Sequence, residues 1–151
     1  MVVILARTVA ALLVLAVAGC AARQPAPNPQ SAALSAAGAR QREIDERKDE
    51  LLRQLAVCES GGHGYTDRPI YGGRGLYVGR FQFVPRTVIN YVKQMDGRVL
   101  TPKEAVDLAH DYDQAAALAK YVIFDLGGVW NWPLCNRKLG LAKQVAEINA
   151  L

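Results

Sequence analysis

The sequence predicts a domain of the α+β class that is mostly α-helical and contains one small glycine-rich β or loop element. Apolar residues recur at helical spacing over residues 42–58 and again after Pro85. Between these helices, residues 61–79 hold seven of the thirteen glycines, which excludes a long helix and favours short strands joined by tight turns. A length of 151 residues allows one domain of ordinary size with appendages.

The N-terminus has the pattern of an export signal. Residues 1–19 are apolar with one charge, Arg7, and the apolar core is too short to span a bilayer comfortably. Small residues precede Cys20, and the segment resembles a bacterial lipobox, in which the cysteine is acylated. We therefore expect lipidation at Cys20 and anchoring to a bacterial membrane, which would be the periplasmic face of the outer membrane in a two-membrane host. An ordinary signal peptide cut near Ala18 and an uncleaved anchor are the alternatives.

Residues 20–41 predict a tether between the anchor and a domain formed by residues 42–151. The segment is rich in proline, alanine, serine and glutamine, and it cannot build a packed core. We expect it to be semi-extended, with an upper reach of about 60 Å. A stub without a spacing function is the alternative.

Helix signals divide the domain. The first helix is expected over Arg42–Cys58, and a second begins near Pro85, because proline fits the first helical turn. Residues 101–104 form a capping box that begins a third helix. A fourth opens at Asp111, and residues 141–151 predict a last one. The inward face of the fourth helix is expected to contain Ala115, Leu118, Ala119, Val122 and Leu126.

The three cysteines separate into two groups. Cys20 stands alone in the export segment, whereas export favours a disulfide between Cys58 and Cys135. Two buried free thiols are the alternative. Together with His63 and His110, these cysteines match no zinc spacing, so we expect neither a metal nor a cofactor.

The charge pattern argues against a nucleic-acid partner. The formal charge is +4, but the arginines are scattered and do not cluster with aromatic residues. We expect a monomer.

Glu59 is the candidate catalytic residue. An apolar helical pattern runs directly into it, and Gly61 and Gly62 then stop the helix, so its carboxyl group should face a loop. One carboxyl group at the base of a cleft is the minimum equipment for acid–base catalysis. Asp67, in the glycine-rich stretch, is a possible second carboxylate, and a turn-forming aspartate is the alternative for it.

Several short motifs resemble those of peptidoglycan-cleaving domains. Cys-Glu-Ser-Gly-Gly at 58–62, Tyr-x-Gly-x-x-Gln-Phe at 77–83 and Trp-Pro-x-Cys at 132–135 resemble, in the same order, the catalytic domain of resuscitation-promoting factors. Gly-x-x-Gln-x-x-Pro-x-Thr at 79–87 is similar to a segment of lytic transglycosylases. Both families belong to the lysozyme-like superfamily, and the resemblance covers about residues 51–140. Arg80 departs from it, because transglycosylases usually have an apolar residue there.

The resemblance implies a lysozyme-like fold with a glycan-binding groove. It implies cleavage of the β-1,4 bond between N-acetylmuramic acid and N-acetylglucosamine, with peptidoglycan strands as partner and Glu59 as the general acid and base. It also implies substrate contacts, which we expect from Tyr77, Gln82, Thr87 and Trp132.

Glu59 needs an apolar setting to hold its proton at neutral pH. Tyr77, Phe81 and Trp132 are the candidates for that apolar wall. For Trp130 we expect an ordinary core position, and for Gln82 a structural amide bonded to backbone is the alternative.

Two questions stay open at the level of sequence. The product is either hydrolysed or an anhydro sugar. A non-catalytic peptidoglycan-binding or scaffolding lipoprotein is the alternative function.

Overall fold

The structure is a computed structural model, and it describes residues 28–63 and 68–151. The predicted signal peptide, the predicted lipidation site Cys20 and the first part of the tether lie outside the described residues. Asp67 lies outside them too, in the segment 64–67.

Helix α1, Pro29–Glu59, contains 31 residues and is about 46 Å long. It begins thirteen residues before the predicted start at Arg42, so the prediction of a semi-extended tether is wrong from Pro29 onward. The cause is local. The Asn28 side chain accepts a hydrogen bond from the Gln30 backbone N–H (3.1 Å), Pro29 has the φ angle of a first helical turn, and the following alanines favour helix.

The two halves of α1 differ in burial. Residues 29–43 are exposed apart from the half-buried Gly38, in agreement with the prediction that this segment builds no core. The second half supplies the buried residues Leu51, Leu52, Leu55 and Ala56. The packed part of α1 therefore coincides with the predicted domain, although the helix itself extends beyond it.

The predicted small β-element is present. Strands β1, Tyr71–Gly72, and β2, Tyr77–Val78, pair antiparallel, with Tyr71 opposite Val78. A 3-10 turn, Gly73–Gly75, joins them, and an antiparallel bridge between Val78 and Phe83 closes the next turn. The domain is therefore of the α+β class and mostly helical.

The remaining elements are helical: α2 Pro85–Asp96, α3 Pro102–His110, α4 Tyr112–Lys120, a π turn Tyr121–Asp125, a 3-10 turn Val129–Asn131, α5 Pro133–Leu139 and α6 Leu141–Asn149. The start of α2 at Pro85 is confirmed. So is the capping box, in which Glu104 accepts from the Thr101 backbone N–H (2.7 Å).

In the C-terminal half, one prediction is wrong and one helix was not predicted. Helix α4 ends at Lys120 and the π turn follows, so Leu126 rotates out of the inward face and is 38% exposed. Helix α5 was not predicted, because its seven residues are too few to show a helical period.

Helix α1 is the centre of the packing. Its second half contacts α4, α5 and α6, while α2 packs on α3 and α4. Phe81 enters this core from the turn after β2 and is fully buried. Within residues 28–63 and 68–151, no helix is both long enough and apolar enough to cross a membrane.

Candidate active site

Glu59 is the last residue of α1, as predicted. The backbone N–H of Ser60 bonds to the Ala56 carbonyl (3.0 Å), and that of Gly62 reaches back to the Val57 carbonyl (2.8 Å). Gly61 between them has φ +70°, the left-handed conformation that this type of helix end requires. The sequence Glu-Ser-Gly-Gly thus ends the helix directly after the carboxyl-bearing residue.

The Glu59 side chain is half-buried, and this burial raises the pKa of its carboxyl group. The charge of Lys138 acts in the opposite direction and is the smaller effect. The helix dipole of α1 also disfavours a negative charge at its C-terminal end. Glu59 therefore keeps its proton to higher pH than an ordinary glutamate, which is the property that a general acid needs.

A disulfide joins Cys58 to Cys135, with the two Cα atoms 6.0 Å apart, and confirms the predicted pairing. It attaches the end of α1, one residue before Glu59, to the first turn of α5. Lys138 lies one turn after Cys135 on α5, which explains why its charge reaches Glu59.

Trp132 and Phe81 pack together in the core. Trp132 is only 4% exposed, and its indole N–H donates to the Phe81 carbonyl (2.8 Å). Its ring also meets Phe83 edge-on, with centroids 5.5 Å apart. Trp132 was predicted to contact substrate, but a buried ring offers almost no face to a sugar. Its contacts are those of a supporting core residue.

Trp130 corrects a prediction. It was expected in the core, yet it is 70% exposed. The 3-10 turn directs its neighbour Val129 inward, and Trp132 fills the space against Phe83. Trp130 therefore projects into solvent. No pattern in the sequence indicated this exposure.

Gln82 closes the turn after β2. Its side-chain N–H donates to the Gly79 carbonyl (2.6 Å). Its Oε1 lies against Gly72, where an added Cβ would come within 1.8 Å of it. The amide N–H is thus bonded to backbone and the amide oxygen packs against Gly72, which is the structural alternative that the sequence left open for Gln82. Its φ of +49° is a strained value for a residue other than glycine.

Gly79 fixes this turn on α3. Its φ is +73°, and a Cβ there would lie 1.7 Å from the Ala109 carbonyl oxygen. Only glycine permits so close an approach. The turn 79–82 is thereby held at the C-terminal end of α3.

The other predicted substrate residues lie on the surface around this turn. Tyr77, on β2, is 40% exposed, whereas Thr87 is half-buried in the first turn of α2. The sequence analysis did not predict a neighbouring cleft of about 490 Å³, which begins at His63 and is lined by Arg68, Pro69, Ile70 and Tyr71. Its volume is within the usual range of ligand pockets.

The arrangement of possible metal ligands completes the description of the site. In the described part of the chain, no three or more His, Cys, Asp or Glu side chains are grouped so that they could hold a metal ion.

Comparisons of the chain with protein-family models, with curated proteins and with solved structures found no match. The structure itself defines a mostly helical α+β domain. Its central helix ends in a half-buried glutamate, directly after a disulfide-bonded cysteine.

Proposed function

We propose that the protein cleaves peptidoglycan at the β-1,4 bond between N-acetylmuramic acid and N-acetylglucosamine. In this proposal residues 42–151 are a lysozyme-like domain, carried by a lipoprotein anchored through Cys20. The proposal depends on the raised pKa and the fixed position of the Glu59 carboxyl group. Burial raises the pKa of its carboxyl group, and the disulfide fixes the helix end that presents it.

The first chemical step is protonation of the bridging oxygen by Glu59. The bond between that oxygen and C1 of the muramic acid residue then breaks, and positive charge develops at C1. The N-acetyl group of the same sugar stabilises this charge if no second carboxylate takes part. Asp67 would supply the second carboxylate in the alternative form of the mechanism.

In the second step Glu59, now ionised, acts as a base. It takes a proton either from the 6-hydroxyl of the sugar or from water, and the deprotonated oxygen bonds to C1. The first route gives an anhydro sugar and the second gives a hydrolysed one. Both routes return the proton to Glu59 and leave the sum of atoms balanced.

The proposed roles of the other predicted substrate residues follow from their exposure and their hydrogen bonds. Tyr77 offers an exposed ring and Thr87 a partly accessible hydroxyl to the glycan. Gln82 and Trp132 shape the groove from within, because their polar groups bond to Gly79 and Phe81.

The test is release of muropeptides from purified peptidoglycan by the wild type and by Glu59→Gln. We expect the substitution to lower the rate by about 100-fold or more, since the proton donor is lost while the shape of the side chain is kept. Glu46→Gln, an exposed change on the same helix, is the matched control. Mass spectrometry separates the two products, because the anhydro sugar is lighter by one water. Turnover at the wild-type rate by a folded Glu59→Gln would remove the assignment.

A non-catalytic peptidoglycan-binding or scaffolding lipoprotein is the second candidate. It is favoured by the internal use of the Gln82 amide and the Trp132 indole, two groups that the resemblance assigned to substrate. Sedimentation of the wild type with insoluble peptidoglycan, without release of any muropeptide, would support this candidate over the enzyme.

A further inference from the structure

The feature that the proposed reaction does not use is Trp130. At 70% it is the most exposed of the exposed tyrosine and tryptophan rings in the part of the chain that the structure describes. Leu134, four residues later on the first turn of α5, is 60% exposed. Two large apolar side chains thus stand in solvent on the segment that precedes and contains the disulfide-bonded Cys135.

The exposure of Trp130 is built into its turn. The Asn131 amide donates to the Gly128 carbonyl (2.7 Å), and its oxygen accepts from the Tyr91 hydroxyl (3.3 Å). Gly128 itself has no room for a side chain, since a Cβ would lie 2.8 Å from Val122. The Trp130 indole is therefore held outward by a turn that is attached to α2 and to the core.

The position of this turn relates Trp130 to Glu59. Leu134 and Lys138 are one helical turn apart on α5, and the charge of Lys138 reaches the Glu59 carboxyl. The disulfide holds α5 at the end of α1. Leu134 and Lys138 therefore share a face of α5 that leads toward Glu59, and Trp130 lies in the turn that directly precedes α5.

We propose that Trp130, together with Leu134, is a stacking platform for a pyranose ring of the glycan chain, at a subsite away from the bond that is cleaved. This inference rests on the proposed function. The indole face is flat and apolar and matches the C–H face of a sugar. Asn131 is the next residue in the chain, and its amide has a second N–H besides the one bonded to Gly128, which suits a hydroxyl or acetamido oxygen at a sugar's edge.

Two other occupants fit less well. Two exposed side chains offer far less surface than the roughly 800 Å² per partner that a stable protein interface buries. A lipid bilayer would have to desolvate the second N–H of the Asn131 amide without offering it a hydrogen bond, and that is costly. A glycan supplies such bonds.

The test measures binding in the Glu59→Gln background, so that turnover plays no part. The probes are a soluble N-acetylglucosamine oligosaccharide and insoluble peptidoglycan. Because Trp132 is buried, acrylamide quenches mainly the fluorescence of Trp130, and we expect the oligosaccharide to protect it. We expect Trp130→Ala to weaken binding by about tenfold, the usual size of one lost aromatic contact, and Trp130→Tyr to retain most of it.

The matched control is Val99→Ala, which removes a similarly exposed apolar side chain and should leave binding unchanged. Equal binding by Trp130→Ala and its parent overturns the inference, as does a parent that binds neither probe. So does a result in which Trp130→Ala alters only self-association or only adsorption to lipid vesicles. Failure of the proposed function is a different observation, namely muropeptide release by Glu59→Gln with Trp130 in place.

Discussion

A negative charge on Glu59 is disfavoured by its position in two ways. The residue is half-buried, and it stands at the C-terminal end of α1, where the helix dipole is negative. The only opposing charge that reaches it among the described residues is that of Lys138. The chain therefore keeps at this residue a proton that an exposed glutamate would lose.

This position predicts how stability depends on pH. The folded state binds the Glu59 proton more tightly than the unfolded state does, so unfolding releases it between the ordinary pKa of 4.5 and the raised value. Across that window the wild type should lose stability, relative to Glu59→Gln, as pH rises. Denaturant unfolding of both proteins at a series of pH values measures the difference. A wild-type stability that, measured relative to Glu59→Gln, stays constant or increases with rising pH would contradict the assigned direction.

Lys138 predicts a change in the activity profile. Its positive charge lowers the pKa of Glu59, so Lys138→Gln should let Glu59 stay protonated to higher pH. We expect the alkaline limb of the rate profile for muropeptide release to move upward in pH, and Lys138→Arg to leave it in place. Because Lys138 is exposed, the shift should diminish in high salt. An unmoved limb, or one moved to lower pH, would exclude this electrostatic role.

The two tryptophans show what residue-level motifs leave out. Trp130 and Trp132 are separated by one residue, and judged by residue type alone either ring could stack on a sugar. The 3-10 turn and the space beside Phe83 decide that Trp132 is buried and Trp130 is not. Phe81, which accepts the Trp132 hydrogen bond, is 51 residues away in the chain. A contact between residues so far apart in the chain cannot be recognised from a local sequence pattern.

Among the elements, the turn 79–82 has the strictest local requirement. The backbone at Gly79 packs against the Ala109 carbonyl at the end of α3. The Gln82 side chain donates a hydrogen bond to the Gly79 carbonyl within the turn. The motif Gly-x-x-Gln was recognised in the sequence, but its glycine was not known to face a carbonyl of another helix. The spacing of the motif is explained by that contact and by the hydrogen bond between Gln82 and Gly79.

Gly79→Ala should therefore be far more harmful than an alanine at another left-handed glycine. Gly97, which caps α2 with φ +80° and has open space around it, is the matched control. We expect about 1 kcal/mol of lost stability for Gly97→Ala, which is the cost of the left-handed conformation. For Gly79→Ala we expect about 3 kcal/mol, because a backbone carbonyl must also move. Equal losses in thermal or denaturant unfolding would show that the α3 contact is not a constraint.

Helix α1 is the element whose extent differs most from its prediction. Three alternating prolines suggested an extended tether, but the last of them begins the helix behind the Asn28 cap. The exposed first half of α1 would space an anchored domain as a rigid rod, at 1.5 Å per residue instead of about 3 Å. The proposed tether is then shorter and stiffer over Pro29–Gln41 than an extended chain.

At the scale of the whole molecule, one covalent bond connects the end of α1 to the start of α5. The disulfide spans 77 residues and joins α1 to α5, so it encloses the β-element and helices α2 to α4. In the chain-entropy account a loop of that length stabilises the fold by about 4 kcal/mol. The same bond restrains the helix end that presents Glu59.

The double variant Cys58→Ser with Cys135→Ser should therefore lose about 4 kcal/mol of unfolding free energy in denaturant. Reductant should lower the stability of the wild type toward that of the variant and leave the variant unchanged. Under conditions where both proteins are folded, we also expect slower muropeptide release by the variant, because the helix end that presents Glu59 is no longer restrained. Equal stability with and without the bond would contradict this account.

The sequence by itself determined the mostly helical α+β class, the helix end at Glu59, the starts of α2 and α3 and the cysteine pairing. These features depend on residues within about one helical turn or on the chemistry of cysteine. Only the tertiary structure decided which of the two tryptophans is exposed and which is buried against Phe81 and Phe83. Burial and hydrogen bonding of these side chains depend on partners far away in the chain, so folding had to bring them together first.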